Sequence, residues 1–106
     1  GENTCKAWAD ASMSGSMSLR DSYNFSSVTD VATGRIRFSF DVDAVASSYA
    51  IATLAGNNSG TTTSARTQTL DSSRAAANFT IRNLNVNNTN SATDDTYIGV
   101  IVFMDT

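Results

Sequence analysis

The sequence predicts an all-β domain with long polar loops, and three observations carry that expectation. Ser, Thr and Asn supply 39 of the 106 residues. Ser and Asn compete with helical hydrogen bonding, and Thr is stiff at χ1 and favours strands. The apolar residues are thin: 14 of 43 are Ala and only four are Leu, which argues against a helix bundle. Finally, the segment from Arg35 alternates strictly, with Ile36, Phe38, Phe40 and Val42 on one face and Arg35, Arg37, Ser39 and Asp41 on the other. That period of two is the strand signature.

The Arg20–Phe40 stretch, RDSYNFSSVTDVATGRIRFSF, reads as a hairpin. Gly34 supplies the positive φ that a short connection needs, so Val28 and its neighbours should pair back onto Ile36 to Phe40. Tyr23 and Phe25 are odd-numbered while Val28 is even, so a β-bulge is expected at Ser26-Ser27. Val42, Val45, Ala46 and Tyr49 fall at helical spacing, which predicts a short helical turn over 43–48. A strand begins at Tyr49 and Ile51 and ends at Gly56. Residues 61–69 are either an exposed edge strand or an extended loop. Phe79 and Ile81 share a face, but Leu84 and Val86 switch parity, predicting a second bulge near Arg82-Asn83. Asn85 to Thr96 should be a surface loop.

The closing strand is apolar on both sides. Tyr97, Ile101 and Phe103 face one way, while Ile98, Val100, Val102 and Met104 face the other. Such a strand needs two covers. It is either a central strand beneath a loop or the helical turn, or a strand whose second face meets another subunit. Ile98, Val100, Val102 and Met104 are the expected oligomer interface.

Several chemistries are excluded by composition. The net charge of −3 includes no basic stripe, which argues against nucleic-acid or anionic-membrane binding. The longest apolar run, Tyr97 to Met104, falls well short of the roughly 20 residues of a spanning helix. Histidine is absent, so Ser-His-Asp and Cys-His catalysis cannot operate. The single Cys5 allows neither an intrachain disulfide nor a Cys-rich zinc site and reads as an inert thiol. Six scattered glycines form no phosphate-binding loop. Asp41 with Asp43, or Asp94 with Asp95, are the one carboxylate arrangement open to glycoside hydrolysis, although acidic residues beside turns are usually solvated. Asp94, Asp95 and nearby Asn carbonyls would suit calcium, but no EF-hand spacing is present. The expectation is a non-enzymatic protein without cofactor or metal.

Binding through polar loops fits better. Asn, Ser, Thr and Asp side chains match sugar hydroxyls in donor and acceptor capacity, and loops on a β scaffold are where such groups act. Asn57, Asn58, Thr61, Asn87, Asn88, Asp94 and Asp95 are the candidate ligand-binding residues. Trp8 is a core residue or, alternatively, a sugar-stacking platform.

With KAW (Lys6 to Trp8), the Arg20–Phe40 hairpin, SYAI (Ser48 to Ile51) and VIVF (Val100 to Phe103) in this order, the chain resembles the C-terminal domain of bacteriophage tail fibres. Arg20, Ser22, Asn24, Ser26, Ser27, Thr29, Asp30, Thr33, Gly34 and Phe40 carry the resemblance by identity. It departs at Ala11, where that family has a large apolar residue, and in having no proline. The resemblance implies one β-sandwich-like domain over 1–106, the end of a longer fibre protein. It also implies a homotrimer at the distal tip of the virion's tail fibre that attaches to a host-surface polysaccharide or outer-surface protein. A structural virion module and a carbohydrate-binding module are the alternatives.

Overall fold

The computed structural model describes residues 5–13, 16–56, 65–69, 74–85, 91–92, 94 and 97–104. Among these residues nine strands form two antiparallel sheets and no helix is present. They are β1 (Ala7–Ser12), β2 (Ser18–Tyr23), β3 (Phe25–Ala32), β4 (Arg35–Phe40), β5 (Ala50–Gly56), β6 (Ala65–Thr69), β7 (Asn78–Asn85), β8 (Ser91–Ala92) and β9 (Tyr97–Phe103). One sheet runs β2-β1-β9-β5; the other runs β3-β4-β7-β6, with β8 also on β7. The sheets pack face to face as a sandwich, the fold class expected.

The two inner faces are unequal in side-chain size. The β3-β4-β7-β6 sheet contributes Phe25, Ile36, Phe38, Phe40, Phe79 and Ile81, all buried. Four of these and Tyr49 form one aromatic cluster with ring centroids 5.2–6.0 Å apart. Opposite them, β1 presents only Ala7, Ala9 and Ala11, flanked by Ile98, Val100 and Val102 of β9. Bulky rings on one sheet against small side chains on the other fill the interior at the density a core requires. The small Ala11 is one of these buried positions.

The Arg20–Phe40 stretch divides between the two sheets. Tyr23 ends β2, Phe25 begins β3, and Asn24 between them has φ 61°. That left-handed residue turns the chain from one sheet into the other, so Tyr23 is exposed and Phe25 buried despite their shared parity. Asn tolerates this region better than other side chains. Beyond the corner the hairpin is as expected: Val28 pairs with Phe38, a register shift falls between Phe25 and Ser27, and Gly34 has φ 72°.

Two local expectations are corrected, and one alternative is decided. No helical turn spans 43–48: the segment is irregular, and its Ala44 N–H donates across to the Ala76 carbonyl at 2.9 Å. Ala44 and Tyr49 are buried there, while Val42 and Val45 are exposed. Nor does β7 carry a bulge near Arg82-Asn83, since its pairing is unbroken from Ser39↔Asn78 to Ala65↔Asn85. Leu84 is buried on the opposite face of β7, and Asn83 takes the inward position after Phe79 and Ile81. Of residues 61–69, β6 is an edge strand, and 61–64 lie outside the described residues.

Candidate functional site

The closing strand β9 is central in its sheet, between β1 and β5. Ile98, Val100, Val102 and Met104 are at most 3 % exposed and lie within the chain's own core. The oligomer interface expected on that face is therefore corrected: the chain already covers it. Sequence parity could not say which of two apolar faces turns inward; packing against the aromatic sheet decides it.

The uncovered face is the other one. Cross-strand pairing aligns Tyr23, Trp8, Ile101 and Ala52 in one row across the four strands, with Gly99 and Leu54 paired in the row beside it. Tyr97 and Phe103 sit toward the ends of β9. Trp8, Tyr23, Leu54, Tyr97, Ile101 and Phe103 are each between 38 and 63 % exposed, all on this outer face. At its centre Gly99 leaves a notch of about 350 Å³, walled by Trp8, Ala52, Leu54 and Ile101. A β-carbon on Gly99 would lie 3.2 Å from Leu54 Cγ, so the missing side chain is what opens the notch. Trp8 is thus neither a core residue nor isolated.

A bulge brings a charged pair onto this face. β2 and β1 shift register between Asp10 and Ala11, leaving Arg20 as the extra residue. Its guanidinium donates to Asp10 Oδ1 at 2.9 Å and to the Ala11 carbonyl at 2.8 Å, and lies 4.4 Å from the centre of the Tyr97 ring. The ion pair lies within the face: Asp10 pairs with Gly99 in the row between Ile101 and Tyr97, and Arg20 covers the Tyr97 ring.

A second feature lies at the end of β2, where the Asn24 corner forms a cleft of about 420 Å³ lined by Lys6, Ser22, Tyr23, Asn24, Asp41 and Val42. The Asn24 side chain is committed to holding the walls. Its Nδ2 donates to the carbonyls of Lys6 (3.2 Å) and Val42 (3.1 Å), and its Oδ1 accepts from the Val42 N–H at 2.6 Å. The Asp41 N–H donates to the Asn24 carbonyl at 3.0 Å. One residue thereby joins β1's approach, the β2–β3 corner and the end of β4.

Of the candidate loop residues, Asp94 is described: its Oδ1 accepts from the Gly34 N–H at 2.7 Å. The Asn57, Asn58, Thr61, Asn87, Asn88 and Asp95 assignments lie outside the described residues. Asp41 and Asp43 are exposed beside the chain bend after β4. Among the described residues no three His, Cys, Asp or Glu side chains gather as a metal site. Cys5 Sγ donates to the Ala7 carbonyl at 3.2 Å.

The Tyr23–Asn24 cleft has no signal in the sequence, whereas Trp8 is open there to a core or a platform role, and the structure places it on the exposed face. The alternation of Ala7, Ala9 and Ala11 with Trp8 separates two faces but favours the tryptophan side as the inner one, the opposite of what is found. Compared with protein-family models, curated proteins and solved structures, the chain matches none.

Proposed function

We propose that the chain is a non-enzymatic attachment module, the receptor-binding tip of a phage tail fibre, working as a homotrimer that contacts a host cell-surface glycan or protein. The observation that carries this reading is the apolar outer face of the β2-β1-β9-β5 sheet. Six large side chains leave on the order of 500 Å² of apolar surface there, at the upper end for a free-standing monomer. Joining subunits through this face would supply the second cover that β9 lacks, with the Arg20–Asp10 pair as a polar element within the contact.

Multi-angle light scattering on the purified chain tests the assembly. A trimer at micromolar concentration is expected, and a stable monomer would remove the fibre-tip reading. Fluorescent protein applied to a panel of bacteria tests attachment: labelling of a subset of strains is expected. A trimer that labels none would instead be a structural virion module.

The exposure of Trp8 and Tyr23 favours one second reading, a carbohydrate-binding module of a secreted enzyme. That module would be monomeric and would bind polysaccharide through Trp8. Loss of binding in a monomeric chain on Trp8→Ala would select it.

A further inference from the structure

We infer that the cleft at the Asn24 corner is a binding site for a neutral sugar unit, a pyranoside held by its ring face and hydroxyls. The inference rests on the attachment reading above and gives it a ligand class and an address.

The cleft's volume, about 420 Å³, lies within the range of small-ligand sites and accommodates one or two sugar rings. Its wall is divided in kind. Tyr23 and Val42, both more than half exposed, supply apolar surface, while Lys6, Ser22 and Asp41 supply an ammonium, a hydroxyl and a carboxylate. A pyranose has the matching division: an apolar C–H face for the phenol ring, and hydroxyls that donate to Asp41 and accept from Lys6 and Ser22.

Charge narrows the class. Lys6 and Asp41 cancel within the cleft, and the net charge of the chain is −3, so nothing favours a phosphate or a polyanionic saccharide. A purely apolar ligand would strip water from Lys6 and Asp41 without replacing their hydrogen bonds. A neutral polyhydroxylated ligand satisfies both groups.

The backbone under these groups is already ordered. The three side-chain hydrogen bonds of Asn24 and the Asp41 N–H bond fix Lys6 relative to Asp41 and Val42 before any ligand arrives. Preformed geometry lowers the ordering cost of binding. The site also sits at the end of an edge strand, β2, displaced from the Gly99 notch at the centre of the apolar face. Tyr23 is the outermost residue of the row that crosses the notch, so a subunit that covers the notch and stops at Trp8 leaves the cleft open to solvent.

The test is a glycan array of neutral, uronate-bearing and phosphorylated bacterial oligosaccharides probed with the full chain, followed by chemical-shift mapping with the strongest neutral binder. The expected result is binding confined to neutral glycans, with shifts at Ser22, Tyr23 and Asp41, and at least a tenfold weaker Kd in both Tyr23→Ala and Asp41→Asn. Thr29→Ala, on the exposed side of β3, should bind normally. Asp41→Asn keeps the size of the side chain and so guards against a folding artefact in Tyr23→Ala. Binding unchanged in both variants, shifts elsewhere, a preference for acidic glycans, or no glycan bound at all would each overturn the inference. Host-cell labelling that persists in both variants overturns the cleft while leaving attachment intact; absence of labelling by the unaltered trimer sinks the attachment reading itself.

Discussion

The carboxylate of Asp94 accepts a hydrogen bond from the backbone N–H of Gly34, 60 residues earlier, at 2.7 Å. The pairing completes one edge of β7. β4 occupies that edge as far as Arg82, the Gly34 carbonyl accepts from the Asn83 N–H at 2.7 Å, and β8 takes over at Leu84. Gly34 is thus held through both its N–H and its carbonyl. Asp94→Ala should weaken the fold by about 1 kcal/mol, the usual net worth of such a bond. Urea denaturation would measure the loss, and faster amide exchange at Gly34 would locate it; unchanged exchange would contradict the role.

Asn24 combines a left-handed backbone with three side-chain hydrogen bonds, and two substitutions separate the contributions. Asn24→Gly keeps φ 61° available but deletes the bonds; Asn24→Ala loses both. The glycine variant should be destabilised by roughly 1–3 kcal/mol, and the alanine variant by about 1 kcal/mol more. Equal midpoints in a denaturant titration would show that the backbone conformation carries no strain.

The size asymmetry between the sheets predicts opposite responses to volume changes. Phe38→Ala, at a fully buried ring, should cost about 3–5 kcal/mol. Ala9→Leu should cost about 1–3 kcal/mol by forcing the sheets apart. Thermal or chemical denaturation of the two variants checks this. A neutral Ala9→Leu would mean that the interior has unfilled space beside β1.

Tyr49 sets an alkaline limit. Burial raises its pKa above the ordinary 10.0, an effect that the neighbouring Arg74 cation only partly offsets. The fold prefers the neutral phenol, so the unfolded chain ionises first. This stability is fully present below pH 10 and is lost as the pH rises through the higher folded value. Tyr49→Phe should abolish that alkaline decline while costing about 1 kcal/mol near neutrality through the lost hydroxyl bond. Denaturation midpoints between pH 8 and 11.5 would show both effects, and an unaltered alkaline limb in the variant would assign the titration elsewhere.

Gly99 offers a way to alter the outer face without disturbing the core. Gly99→Val places its side chain against Leu54, which is exposed and free to shift. The folded chain should keep its stability within about 0.5 kcal/mol, as for other surface changes, while self-association weakens because the notch is filled. Light scattering and thermal denaturation on the same sample distinguish the two outcomes; association that persists would place the contact away from the notch.

Strand identities were legible where alternation was strict and a turn residue stood beside it. The Val28–Phe38 pairing, the bulge after Phe25 and the positive φ of Gly34 all follow from local pattern, because each depends on neighbours a few residues apart. The helical turn over 43–48 was misread for the complementary reason. Its spacing suited a helix, but only Ala44 and Tyr49 turn inward, and Ala44 is tied to Ala76, more than 30 residues away. Likewise, the parity change at Leu84 suggested a bulge, when the strand is continuous and buries Thr80 and Leu84 on one face and Phe79, Ile81 and Asn83 on the other.

By itself the sequence determined the β class, the Gly34 hairpin and the fact that β9 is apolar on both faces. Only the tertiary structure decided which face of β9 lies inside, that Trp8 lies outside, and that Asn24 folds one apparent hairpin into two sheets. The reason is physical. Alternation labels two sides of a strand but gives neither a direction until a second sheet supplies the bulk that one of them must pack against.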